Sequence, residues 1–236
     1  MAKDTRKRQK KLQRQKAKDK ARKRALAERT STDLAVRLQR AADAPFLHCC
    51  ATSDLFDRGM SNVLISREVG GGDVAFASFL IDMYCLGVKD VFLGVTARQD
   101  YEWQVFTNLS REYEIVNLEP AAARKLIEGA VQFAADAGLQ PHRDYRKAKR
   151  IFGDIDPAAC TEEFTYGKQG RPFFFAGPHD SPTRCRQIIE TLTKRCGPDG
   201  FDYMMASSEP DFIPAGGNVY ALEDFDDDGE WAEQHE

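Results

Sequence analysis

Three groups of residues in this chain have the types and spacing to do chemistry. The first centres on Asp82, which stands inside the apolar run FLIDMYCLGVKD at residues 79–90. A bare carboxylate in a buried strand is costly, so it must be hydrogen-bonded, paired, metal-bound or protonated. A carboxylate on a central strand, with another on a neighbouring helix, can hold a divalent ion. That ion activates water and stabilises a phosphoryl transition state. Glu128 falls in a helical stretch and offers the second carboxylate, and Asp154 and Asp156 follow in GDID. An oxygen-only set of Asp82, Asp154 and Asp156 would take magnesium or manganese. The competing reading makes Asp82 a structural carboxylate with a local partner. Glu128 is then one more solvated charge beside Arg124 and Lys125.

The second group is GPHDSPTR, residues 177–184, where His179 and Asp180 stand just before a helix start. Free backbone N–H groups and the positive end of the helix dipole suit an anion there. Arg184 and Arg186 add cations in the first turn. His179 has the side chain for general acid–base work near neutral pH. The competing reading is plainer: Asp180 or Ser181 is simply the helix cap.

The third group is cationic. Residues 1–30 hold 14 Lys/Arg against 3 Asp/Glu, a net of +11. Lys7, Arg8, Lys10, Lys11, Arg14, Lys16, Lys18, Lys20, Arg22, Lys23 and Arg24 form most of this arm. Such density binds a polyanion by counterion release, with steep salt dependence and no reading of base sequence. A second cationic run, PHRDYRKAKR at 141–150, sets Arg146, Lys147, Lys149 and Arg150 beside His142 and Tyr145. A cationic helix carrying an aromatic suits a phosphate backbone, and a solvated helix face is its competing reading.

Positioning these groups falls to a fold that the patterns outline. The arm is rich in good helix formers but has no apolar stripe, so it is a solvated helix or a disordered arm. Residues 31–45 begin with a capping signal at Ser31–Asp33 and form a docking helix through Leu34, Leu38, Ala41 and Ala42. Residues 46–210 read as one α+β domain, an antiparallel sheet packed with helices. FLHCCATS is its first strand, and SDLFDRG is a helical turn. NVLISREV and DVAFASFLIDMYCLG are joined by a GGG hairpin, and VKDVFLGVT makes another strand. The strand from Val74 is apolar on both faces, so it is central. Residues 97–113 lean helical. NLEPAAARKLIEGAVQFAADAG is the clearest helix, with Pro120 in its first turn and Gly138 at its end. Gly167 and Gly170 predict a second hairpin. Ser181, Pro182 and Gly197 punctuate another helix, and GFDYMMA ends the domain with a strand. Residues 211–236 form an acidic, disordered tail. Its stretch 221–236 has 8 Asp/Glu and no Lys or Arg.

The whole chain has 236 residues and a formal charge of −3, which conceals a body and tail of net −14 behind the +11 arm. The N-terminus lacks the apolar core of a secretory signal. No apolar run approaches the roughly 18 residues that span a membrane. A cytoplasmic protein is therefore expected, in which its six cysteines stay reduced. No CxxC pair exists, and His48, Cys49 and Cys50 are weak candidates for a zinc site beside the simpler reading of buried thiols.

FLIDMYCLGVKDVF, PAAARKLIEGAVQFA, HRDYRKAKRIFGDID and the segment from FFFAGPHDSP resemble a set of bacterial conserved hypothetical proteins with basic N-terminal arms. The resemblance covers about residues 45–206 and implies one coherent domain, without an activity. The element order after Asp82 departs from a ribonuclease-H-like arrangement. The leading expectation is thus RNA binding through the arm, to structured or ribosomal RNA. One alternative is a metal-dependent phosphodiesterase or nuclease built on Asp82. Another is a non-catalytic interaction module with an acidic protein partner, and folding of the arm onto the tail is a further expectation.

Overall fold

Ten-residue alternation and a three-glycine turn build the centre of the molecule. In the computed structural model the described residues are 33–53, 59–177 and 180–205, with isolated positions 15, 16, 18 and 20 and the backbone of 218–220. Strands β2 (Met60–Val69) and β3 (Asp73–Asp82) pair antiparallel along their full length, from Val69 opposite Asp73 to Met60 opposite Asp82. Gly71 and Gly72 take φ of +85° and +82° in the turn, a region open to glycine. β1 (Phe46–Thr52), β4 (Gly87–Ala97) and β5 (Ile115–Asn117) complete a five-stranded sheet in the order β4-β3-β2-β1-β5. Ala75, Ala77, Phe79 and Ile81 face one core, whereas Val74 and Phe76 face another. Both faces of β3 are buried, as its apolar alternation requires.

The first core takes helices α1 (33–41), α3 (Pro120–Asp136) and α4 (Tyr145–Ala148), the last running into a 3-10 turn at Lys149–Phe152. α3 presents Ala123, Leu126, Ile127 and Ala130 to the interior. Leu126 and Ile127 are fully buried, each worth roughly 1.5–3 kcal/mol. The opposite face of the sheet takes α2, which runs from Arg98–Tyr101 through a π-helical segment, Glu102–Phe106, into Thr107–Glu112. The helical lean of residues 97–113 thus resolves into one interrupted helix.

A second unit adjoins the C-terminal end of α3. β6 (Phe173–Phe175), α5 (Pro182–Cys196) and β7 (Asp202–Met204) form a parallel crossover, and β8 (Asn218–Tyr220) adds beside β7. Phe174, Ile189, Leu192 and Tyr203 bury themselves there against Ala134, Ala137 and Cys85. The hairpin expected at Gly167–Gly170 is corrected by this arrangement. The turn makes a single bridge between Lys168 and Arg171, and β6 then joins β7 instead. Two features draw the chain away. A parallel pair needs a crossover, and α5 supplies one. The preceding segment is held on α3, where Tyr166 donates its hydroxyl to Leu126 O at 3.1 Å over Gly129. A side chain at Gly129 would meet that hydroxyl at 2.1 Å.

α5 is capped as its sequence predicts. The Ser181 hydroxyl accepts from Arg184 N–H at 3.3 Å, Pro182 occupies the first turn and Gly197 closes the helix. Residues 54–58, expected as a helical turn, and most of the arm and tail lie outside the described residues. Among the described residues no helix is long and apolar enough to cross a membrane.

Candidate functional site

β3 ends on Asp82, and its carboxylate folds back over the next turn. Oδ1 accepts from Tyr84 N–H at 2.9 Å and Cys85 N–H at 3.0 Å. This is the local hydrogen bonding by which Asp favours turns. Gly87 completes the reversal at φ +64°, where a side chain would meet Ala130 O of α3 at 2.8 Å. Asp82 is 4% exposed. Burial pushes its carboxyl up to about 6, against the N–H groups of Leu86, Cys85 and Tyr84 and the charge of Lys89. The carboxylate is engaged by the backbone it organises.

The other acids expected near it have partners elsewhere. Glu128 accepts from Arg124 Nε at 3.0 Å. Asp156 caps a 3-10 turn, accepting from Ala158 N–H at 2.9 Å. The Asp154 charge acts on Arg67. His179 lies outside the described residues. Among the described residues no group of three or more His, Cys, Asp or Glu is placed to hold a metal ion.

Asp180 occupies the seat that an anion would take before α5. Its Oδ2 accepts from Lys89 Nζ at 2.9 Å and from Gly177 N–H at 3.0 Å. Arg184 Nε lies 3.5 Å from Oδ1. The Asp180 side chain is only 4% exposed. Burial alone would push this carboxyl up, but Lys89, Gly177 N–H and Arg184 together hold it below its ordinary value. A cavity of about 380 Å³ opens beside the pair, lined by His142, Leu139, Gln187 and Ile188 with Lys89 and Arg184. Both cations are already directed at Asp180. The chain supplies its own anion at this helix start, and the contact ties β4 to α5.

The cationic residues are treated differently. Arg146, Lys149 and Arg150 are exposed on α4 and its 3-10 extension, and Arg143 in the turn before it, while Tyr145 and Ala148 anchor the segment in the core. Lys147 is half-buried and turned to Asp144 at 2.7 Å. Arg150 Nη1 donates to Ala35 O of α1 at 3.4 Å. The basic run therefore lies against α1, which adds the exposed Arg37 and Arg40. Gln39, Arg124, Glu128, Lys149 and Arg150 rim a depression of about 210 Å³ floored by Phe152 and Gly153. Of the arm, Lys16, Lys18 and Lys20 are helical and exposed; its other cations lie outside the described residues.

One buried cation holds this surface in place. Arg67 on β2 is 4% exposed. Its Nε donates to Ile151 O at 2.9 Å, Nη2 to Phe152 O at 3.1 Å and Nη1 to Ala44 O at 2.6 Å. The end of α1 and the end of the 3-10 turn thus share one guanidinium. Burial pulls its pKa down, and the Asp154 and Asp43 charges oppose that. Only the unexpected charge in NVLISREV marks Arg67 in the sequence.

His48, weighed with Cys49 and Cys50 as a metal ligand, belongs to an aromatic network. Its Nδ1 lies 2.9 Å from the Tyr101 hydroxyl, which donates to Ser66 Oγ at 2.9 Å. Its ring stacks on Phe106 with centroids 3.9 Å apart. Cys49 and Cys50 alternate to opposite cores, so the three side chains do not converge. Burial pushes the Cys49 thiol up to about 12 and Cys50 to about 11. The chain matches no family model, no curated protein and no solved structure.

Proposed function

We propose that the protein binds RNA, and that the surface made by α1 and α4 continues the basic arm as one polyanion-binding face. The contact between Arg150 and Ala35 carries this reading, because it sets the basic run at 141–150 beside α1, the helix that follows the arm in sequence. The described part of α1 opens at residue 33, three residues after the arm in sequence. Arg37, which also meets Asp73 at 3.4 Å, Arg40, Arg146 and Lys149 offer exposed cations on this surface, and Lys149 rims the depression with Arg124 and Arg150. Such a surface reads the spacing of phosphates, so structured RNA, including ribosomal RNA, is the favoured ligand over a short single strand. The acids expected to form a nuclease centre are engaged by backbone or by arginine, which favours binding over cleavage.

The test is filter binding to a structured RNA across a salt series, with the full chain and a variant lacking residues 1–30. The reading expects a shallower salt dependence and much weaker binding without the arm. Equal affinity and equal slope for the two proteins would overturn it.

A further inference from the structure

The two edges of the five-stranded sheet are unequal. β5 spans three residues, whereas β4 spans eleven. Short edges are a common protection against unwanted pairing, and long uncharged ones are open to it. The first part of β4 is closed. Val88 O accepts from His142 N–H at 2.8 Å, and Val91 N–H donates to its neighbour's Asp90 Oδ1 at 2.7 Å. A bulge opposite Leu80–Ile81 distorts this part further. From Phe92 to Ala97 the strand reads FLGVTA, with no charge and no proline. Among the described residues nothing pairs with the outer edge of that run. Phe92 stands on it 60% exposed, its ring 5.3 Å from the centroid of Phe76.

We infer that the chain dimerises through this edge, two copies of β4 pairing antiparallel to give one continuous ten-stranded sheet. An antiparallel strand pair with a two-fold axis at its midpoint is self-complementary, so a second copy is the partner the edge fits. With the axis at Gly94, Phe92 of each copy lies opposite Thr96 of the other. The run is bounded by Asp90 at one end and Arg98 at the other, so the pairing brings opposite signs together at its ends. Arg98 also holds Glu68 and Glu102. The exposed Phe92 becomes covered, and the outward N–H and C=O groups of both strands gain partners.

Sedimentation equilibrium of the full chain tests this directly. A dimer has 53.2 kDa, twice the 26.6 kDa of one chain. F92K/T96K sets lysine against lysine at both facing positions and should weaken association roughly tenfold or more, which is at least 1.4 kcal/mol. F92K/T96E sets opposite charges at the same positions and should restore the dimer, which also controls for folding. Amides of Leu93–Ala97 should exchange more slowly as protein concentration rises in the wild type. A wild-type chain that stays at 26.6 kDa across the concentration range would overturn the inference. So would a folded F92K/T96K that dimerises as tightly as the wild type.

Discussion

Charges near the C-terminal half of α3 and charges near its N-terminal half have opposite fates. At the β3–β4 turn and the start of α5, Asp82, Lys89 and Asp180 are all spent inside the molecule. At the α1–α4 surface, one buried arginine organises the backbone, Arg37 is shared with Asp73, and Arg40, Arg146 and Lys149 stand exposed. A charge consumed by an internal partner holds elements together. A charge left unmatched on a surface beside more of its own sign is available to a ligand of the other sign. The same residue types therefore serve structure in one place and recognition in the other.

The largest effect should come from the buried arginine. Arg67→Ala removes a charged donor from three backbone carbonyls, and a loss of about 3–5 kcal/mol is expected in urea unfolding. A loss under about 1 kcal/mol would show that α1 and α4 are held by other means. Asp82→Ala comes next, at about 2–3 kcal/mol, because it strands buried N–H groups. Asp82→Asn keeps an acceptor oxygen there and should cost less than alanine.

The pH profiles of the two carboxylates should run in opposite directions. The folded Asp82 binds its proton more tightly than the unfolded chain does, at about 6 against 3.8. Its contribution is full below the unfolded value and is lost as pH rises through about 6, on the order of 2–3 kcal/mol in total. Asp180 is held below its ordinary 3.8, so its contribution is present at neutral pH and lost on acidification. Unfolding of D82N against wild type between pH 4 and 7 checks the first sign, and D180N against wild type as pH falls below 3.8 checks the second. D180N should cost about 1–3 kcal/mol at pH 7, since it leaves Lys89 half-sequestered without its charge partner. Parallel profiles would erase the distinction between a backbone-held and a cation-held carboxylate.

Surface cations should have the smallest effect on stability. Arg146→Gln and Lys149→Gln are each expected to shift unfolding by less than about 0.5 kcal/mol.

Much of this arrangement is legible where its causes are local. The Asp82 turn lies within residues 82–85, and the rule that a buried carboxylate needs a partner points to it without choosing the partner. Ser181, Pro182 and Gly197 punctuate α5 within one short run. Alternation along Val74–Ile81 marks a strand buried on both faces. Contacts distant in sequence carry no such mark. Arg67 meets carbonyls 84 and 85 residues away, and Lys89 meets Asp180 across 91 residues. The parallel pairing of β6 with β7 depends on the shared core with α5, and Gly167 and Gly170 look like hairpin residues without it. The basic run at 141–150 is plain in the sequence, but its adjacency to α1 is a tertiary fact.

That adjacency is tested most directly by the salt dependence of RNA binding in a full-length chain carrying Arg37→Gln, Arg40→Gln, Arg146→Gln and Lys149→Gln. The arm is intact in this variant. If α1 and α4 extend the arm's surface, the slope of log K against log salt falls by about one for each cation that no longer meets a phosphate, with the fold unchanged. An unchanged slope and affinity would contradict the account and leave the arm acting alone.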